Sequence, residues 1–301
     1  MTLAVRLSGG LGNQLFQLCF AHSLHLSSSS TIMLDISAYN PDSTTRLSSL
    51  VSQPNEAYRI GRFKEKSSLI SLPKFRDNPK SKDITFKSYE TGRREKLPIL
   101  SEDYRQYVPY FTGLTSGYFV GTFASHKYWT SGIDATLAWI REQISQVIGL
   151  TSETPTFDLA VHARRGDYLS NPKTRLFHGY CDTPYFKRAF ENIKSRDSSI
   201  ETVLISSDDL VFSHSLAVVA RKFFKNVDVL EEQSAIKALI QLSNCRTFIG
   251  SNSTFSWWAG YLNPKDINVF PQKWFVSNKI AFSPELFFPD SPILIDYELL
   301  R

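Results

Sequence analysis

Between residues 157 and 262 the chain alternates short apolar runs with stretches of helical period, and this rhythm restricts the possible folds more than any other feature. One apolar run ends at His162, and others cover 202–206, 228–230 and 246–249; the spacing predicts helices at 183–194, 212–224 and 234–244 between them. Strand and helix in strict turn imply a parallel sheet, because successive parallel strands must be joined by a crossover. The helix at 183–194 opens with Thr183-Pro184, a capping residue followed by proline, whose missing N–H costs nothing in a first turn.

The predicted strands lead into polar segments. The first run gives way to His162-Ala163-Arg164-Arg165-Gly166-Asp167, the second to Ser207-Asp208-Asp209, and the fourth to Gly250-Ser251-Asn252-Ser253-Thr254. Two guanidiniums would be costly in a core but are well placed at the carboxyl ends of parallel strands, where open α/β sheets bind ligands. A guanidinium's planar fork grips two phosphate oxygens and stays charged at any working pH, so the pair points to a diphosphate. The alternative is a structural salt-bridge knot in which Asp167 neutralises one arginine. Residues 251–254 open the next predicted helix, as caps or as a second anion cradle. Arg165-Gly166-Asp167 matches a cell-adhesion tripeptide, but it comes after a strand in a chain without an export signal.

The amino-terminal half repeats the theme once. A strand at 3–7, a glycine turn at 8–13 containing Gly10, Gly12 and Asn13, a helix from Gln14 to 26 and a strand at 31–36 are predicted. A dinucleotide fingerprint fails here because Leu15 stands where that motif needs its third glycine, although Asp35 comes at a suitable distance. From 38 to 125 the periodicity is poor and prolines recur, which predicts long loops and short helices. Aromatic residues crowd 104–129; core filling is their usual fate, and Tyr128 and Trp129 are candidates to face a sugar acceptor. A helix is predicted at 133–150, and the polar, proline-bearing stretch 151–156 marks the boundary between domains at 1–150 and 156–301.

The chain of 301 residues, 42% hydrophobic, suits one large or two ordinary domains. No apolar run is long enough for a signal peptide or a membrane helix, so a cytoplasmic protein is expected. Cys19, Cys181 and Cys245 are too scattered for a disulfide framework or a zinc site, and the sequon at Asn252 has meaning only in a secreted chain. The net charge of +5 is concentrated: residues 56–96 hold twelve Lys or Arg against six Asp or Glu, leaving the remainder at minus one. Such a stretch is a solvated face or a peripheral contact with an anionic membrane. No nucleic-acid-binding signature accompanies it.

Four segments together resemble the α-1,2-fucosyltransferases of glycosyltransferase family 11: Gly9 to Gln17, His162 to Tyr168, Ser207-Asp208-Asp209, and Asn252 to Leu262. They run in the family's order over nearly the whole chain. The resemblance implies two Rossmann-like domains facing across a cleft, the GT-B arrangement. It also implies metal-independent, inverting transfer of fucose from GDP-fucose to the 2-hydroxyl of a galactose-containing glycan, in surface polysaccharide or lipopolysaccharide synthesis. By the same carry-over Arg164 holds the β-phosphate, Asp167 orients the cluster, and His162 and Arg165 line or support the donor pocket. Ser251, Asn252, Ser253 and Thr254 contact the diphosphate or fucose, Asp208 and Asp209 belong to the donor site, and the turn at Gly10, Gly12, Asn13 and Gln14 borders it. Relatives often carry a carboxylate in the helix before the last motif, suited to guanine; residues 234–245 contain none, although Glu231 and Glu232 stand just ahead.

The chemistry agrees. Breaking the glycosidic bond of a sugar nucleotide loads negative charge on the diphosphate, and fixed arginines stabilise it with little reorganisation. The sequence has no Asp-x-Asp pair of the kind that holds a metal in other transferases. For the acceptor proton, Asp167, Glu102, Asp103, Asp208 and Asp209 are all candidates. Competing readings are a protein O-fucosyltransferase or other sugar-nucleotide transferase of the same fold, and a non-catalytic sugar or nucleotide binding module.

Overall fold

The computed structural model describes residues 3–36, 38, 58–61, 83–87, 94–102, 106–148, 157–232, 234–277 and 282–301. They fall into two compact units, Met1–Thr136 and Leu137–Arg301. Each carries a six-stranded sheet.

The first unit begins with β1 (Leu3–Arg6), α1 (Leu11–Ser28) and β2 (Ile32–Asp35), a parallel pair joined by its crossover helix. The helix starts at Leu11, so Gly12 and Asn13 lie in its first turn with Gln14 rather than in a preceding loop. The rest of the sheet comes from β3 (Tyr58–Gly61), β4 (Asp83–Lys87), β5 (Arg94–Ser101) and β6 (Gly117–Val120). These four strands correct the expectation of loops and short helices over 38–125. Their alternation is obscured by charged residues and by Pro98, which β5 tolerates where it pairs with the antiparallel edge strand β4. The order is β3-β2-β1-β6-β5-β4. From β1 the chain steps outward through β2 to β3, and β6 then closes on the other side of β1.

The aromatic crowd fills this unit. Phe20 of α1 stacks on Phe123 with centroids 4.0 Å apart, and Phe119 and Tyr128 meet it edge-on at 5.2 and 5.1 Å. Tyr128 and Trp129, the acceptor candidates, are 0% and 4% exposed: both rings pack in the core, and the Tyr128 hydroxyl accepts the Val108 N–H at 2.8 Å.

The second unit holds most of α2 (Ile133–Ile148), because the division falls after Thr136. This division falls before the polar stretch 151–156, the expected boundary, which lies outside the described residues. Arg141 of α2 donates from Nη1 to the Leu262 carbonyl at 2.7 Å, tying the helix to this unit. Then come β7 (Phe157–Ala163), α3 (Gly166–Ser170), α4 (Pro172–His178), α5 (Thr183–Arg196), β8 (Thr202–Ser207), α6 (Leu210–Ala220), β9 (Asn226–Val229), α7 (Ala235–Ser243), β10 (Cys245–Gly250), α8 (Thr254–Tyr261), β11 (Ile267–Pro271), α9 (Pro284–Phe287) and β12 (Ile293–Ile295). All six strands are parallel, in the order β12-β11-β10-β7-β8-β9. The apolar period predicted from the sequence is the buried face of this doubly wound layer: Tyr185, Phe186, Ala189, Phe190 and Ile193 of α5 are all 0% exposed. At roughly 1.5–3 kcal/mol for each large side chain fully buried, that one helix face is a major share of the unit's cohesion.

Among the described residues no helix is long and apolar enough to cross a membrane. Most of the basic stretch 56–96, the candidate for a membrane contact, lies outside them.

Candidate active site

Strand order locates the site. From β7 the chain runs through β8 to β9 on one side, and β10 returns on the other, so the connections after β7 and β10 part company. Such a reversal opens a crevice at the carboxyl ends of the two central strands. Register brings the motifs there: His162 lies opposite Gly250 on β10 and Ser206 on β8, and Ala163 opposite Ser207. The arginine, aspartate and serine clusters therefore share one sheet edge.

The two arginines do different things. Arg165 is 12% exposed, with Phe212 3.9 Å below its guanidinium carbon and Tyr180 at 5.2 Å. Its Nη1 bonds Asp182 Oδ1 at 3.2 Å, while Nε faces Asp209 Oδ2 at 3.4 Å without hydrogen-bond geometry. It is walled in and supports its neighbour. Arg164, 34% exposed, is the accessible guanidinium, and two carboxylates hold it: Asp208 Oδ2 on Nη1 at 2.6 Å and Asp167 Oδ1 on Nη2 at 2.5 Å.

Asp208 is the organiser of this edge. Its Oδ1 also accepts the Arg165 N–H at 2.7 Å, and it comes so close to Gly166 that a Cβ there would sit 2.4 Å from Oδ2. The glycine of the Arg-Gly-Asp tripeptide is thus a packing requirement of the cluster. Asp209 caps α6 by accepting the Phe212 N–H at 3.0 Å. Asp167, 51% exposed, is the most open carboxylate of the four around the two arginines.

His162 is buried, and its Nδ1 lies 2.7 Å from the Ser256 hydroxyl, which is in turn 3.2 Å from that of Ser251. Burial, against the pull of Asp208 and with a smaller push from Arg164, lowers its pKa to about 4, so the ring is neutral. It fixes the crevice floor and brings no charge.

The serine-rich loop turns inward. Ser251 Oγ accepts the Arg164 N–H at 2.9 Å, and Ser253 caps α8 by accepting the Phe255 N–H at 3.2 Å. Asn252, 0% exposed, donates to the carbonyls of His178, Gly179 and Trp274 at 3.0, 3.3 and 3.2 Å. The side chains of these three expected ligand contacts are thus engaged within the protein. They are consumed in holding Arg164's backbone and the neighbouring loops, and Thr254 alone of the four is half-buried.

The first unit has its own reversal, between β1 and β6, with the glycine turn at its edge. Gly9, at φ 78°, and Gly10 are exposed, whereas Gly12 and Gln14 are buried and Asn13 half-buried. Gln14 Nε2 donates to the Gly9 carbonyl at 2.8 Å, and its Oε1 is buried without a hydrogen-bond partner. Gln17 Nε2 joins the turn to the Gly121 carbonyl at 2.8 Å. Glu102, 4% exposed, accepts the N–H groups of Thr122 and Phe123 at 2.9 and 2.7 Å. It clamps a residue held at φ 54°, and these bonds occupy one oxygen of this candidate proton acceptor; Asp103 lies outside the described residues. Among the described residues no group of three or more His, Cys, Asp or Glu could hold a metal ion.

Sequence missed the roles of Asp182, Phe212 and Ser256. Each sits on a neighbouring element at ordinary helical or capping spacing, and no local signal distinguishes it.

Comparison with known proteins gives the family. Residues 2–286 match the model of glycosyl transferase family 11. An α-1,2-colitosyltransferase of Escherichia coli is 23% identical over 94% of this chain and 96% of its own length. A galactoside 2-α-L-fucosyltransferase of Caenorhabditis elegans is 23% identical over 87% of this chain and 69% of its own. The O-antigen biosynthesis glycosyltransferase WbnK of E. coli is 32% identical, but over 40% of this chain and 39% of its own length. Among solved structures, NodZ α-1,6-fucosyltransferase soaked with GDP-fucose aligns at 14% identity and a TM-score of 0.45 over 88% of this chain and 94% of that one. POFUT1 in complex with GDP aligns at 12% and 0.43 over 89% and 98%. The chain is a glycosyltransferase and belongs to glycosyl transferase family 11.

Proposed function

We propose that this enzyme transfers L-fucose from GDP-fucose to the 2-hydroxyl of a galactose in a glycan, with inversion and without a metal. The observation that carries the reading is Arg164, a half-exposed guanidinium oriented by two carboxylates at the sheet's reversal point. As the acceptor oxygen bonds to C1, the C1–O bond to the β-phosphate breaks and its electron pair leaves with GDP. Arg164 meets that growing charge already aligned, which favours the transition state over the bound donor.

Arg164 and Arg165 face four carboxylates, Asp167, Asp182, Asp208 and Asp209, so the cluster has a formal excess of two negative charges. A diphosphate binds there if one carboxylate gives way. Asp167 is the exposed one, and its oxygen occupies a guanidinium face that suits a phosphate oxygen. In-line inversion needs the proton acceptor on the opposite side of C1 from the leaving group, so the carboxylates packed around Arg164 are badly placed for that role.

The test is turnover of GDP-fucose by the purified protein with galactose-terminated acceptors, with and without EDTA, reading GDP release and product linkage. An α-1,2-linked, EDTA-insensitive product is expected. GDP binding with no product on any acceptor would support a binding module instead. A second donor belongs in the assay: the nearly full-length alignment with a colitosyltransferase favours the corresponding nucleotide-linked colitose, which is fucose without its 3-hydroxyl.

A further inference from the structure

Beside Arg164, on the β11 side of the reversal, is a group of rings that the diphosphate reading does not use. Tyr168, nearly buried, sits 5.7 Å from the Arg164 guanidinium carbon and stacks on His178 at 4.9 Å and 16°. His178 in turn meets Phe177 at 4.8 Å and Phe275 at 5.4 Å, and those two phenylalanines are 5.5 Å apart. The loop geometry holding them is fixed. Phe177's carbonyl accepts the N–H groups of Val276 and Ser277, each at 3.1 Å, and Asn252 grips the carbonyls of His178 and Gly179. Gly179, at φ 62°, admits no side chain, since a Cβ would lie 2.3 Å from Val276.

Phe177, His178 and Phe275 are nonetheless only half-buried, whereas Tyr185, Phe186 and Phe190 in the same unit are fully enclosed. A patch of aromatic rings kept partly open at a ligand-binding edge is suited to an apolar surface of the ligand. The His178 ring is neutral: burial lowers its pKa to about 4, with Asp167 opposing and Arg164 adding to the shift. Its buried Nδ1 makes no hydrogen bond, so the tautomer that leaves no N–H stranded puts the proton on Nε2, as a donor.

We propose that the shelf of Phe177, His178 and Phe275 seats the transferred sugar and selects a 6-deoxyhexose through its methyl group. The inference rests on the diphosphate reading of Arg164. The sugar is bonded directly to the phosphate that Arg164 holds, whereas the base is a ribose and a second phosphate further away, so rings adjoining Arg164 fall to the sugar. A methyl on C6 gains from contact with the phenylalanine faces, while a hydroxyl there loses water without a partner. His178 Nε2–H serves a ring hydroxyl, and being neutral it adds no charge beside the leaving group.

GDP-L-galactose differs from GDP-fucose only by that 6-hydroxyl, which makes it the probe. Calorimetry should give GDP-fucose about 10- to 10²-fold tighter than GDP-L-galactose for the wild type. In Phe275→Ala the two should come within about 3-fold of each other, with GDP alone bound as before. His178→Gln should weaken GDP-fucose and leave GDP alone unchanged, which keeps the idea testable if Phe275→Ala does not fold. Undiminished discrimination in Phe275→Ala, or unchanged GDP-fucose affinity in His178→Gln, overturns the shelf and leaves the proposed function standing. Loss of GDP affinity in folded variants also overturns it, since the rings would then hold the base. If the wild type binds neither GDP nor GDP-fucose, the diphosphate reading fails and the shelf with it.

Discussion

The two sheets of this protein both place their first strand at the centre, but the second half runs outward from β10 in one and inward from β4 to β6 in the other, and the two build unlike edges. In the second unit the β7/β10 reversal gathers two arginines and four carboxylates, with one guanidinium left half-open. In the first, the β1/β6 reversal offers exposed Gly9 and Gly10, a buried glutamine oxygen without a partner, and no cation in its glycine turn. Topology supplies the crevice in both, and the residues after the strand decide its chemistry. On the proposed function, charge stabilisation falls to the second edge and close backbone approach to the first.

Removing the exposed guanidinium is the severest test of that division. Arg164→Ala should lower kcat by on the order of 10² or more, with a smaller change in the Kd for GDP. Near-normal turnover would show that the second edge does not carry the charge. The corresponding blow to the first edge should fall on stability: Glu102→Ala strands two backbone N–H groups in a buried site, for about 2–4 kcal/mol in urea titration. A loss of activity at unchanged stability would instead give Glu102 a chemical role.

Acid should separate the edges too. His162 has its pKa lowered to about 4, so the folded state resists a proton that the unfolded chain accepts near 6.5. Its stabilising contribution is full above pH 6.5 and is lost as pH falls toward 4, by on the order of 1–3 kcal/mol. The urea midpoint should show that slope, and His162→Gln should remove its share, leaving the shares of His178 and His22. Two glycines give the finest comparison. Gly166→Ala pushes a Cβ to 2.4 Å from Asp208 and should disturb Arg164, cutting kcat about 10-fold. Gly10→Ala meets nothing within 4 Å and should cost under about 0.5 kcal/mol, so any rise in KM there reports ligand contact at the first edge. Asp167→Asn removes the carboxylate competing for Arg164 and should tighten GDP by up to about 5-fold.

Much of the second unit is legible in the sequence. The alternation from β7 onward, the parallel sheet and the polar strand ends come from periodicity, because a doubly wound layer must bury one face of every element. Legibility failed where local pattern and burial diverge. The strands within 38–125 carry charges that hide a period of two. Tyr128 and Trp129 are amphipathic side chains, equally fit for a core or a sugar, and only packing on Phe20 and Phe16 of the first helix put them inside.

The sequence by itself determined which residue types stand after each strand, and thereby the charges gathered at the second edge. Tertiary structure decided which of them stay open. Arg164 and Arg165 are neighbours of identical chemistry, yet Phe212, Asp182 and Asp209 close over one and leave the other open. Asn252 reads as a polar binding residue and is spent on three carbonyls. Those partners come from elements far along the chain, and it is the strand order, set by the packing of whole layers, that brings them together.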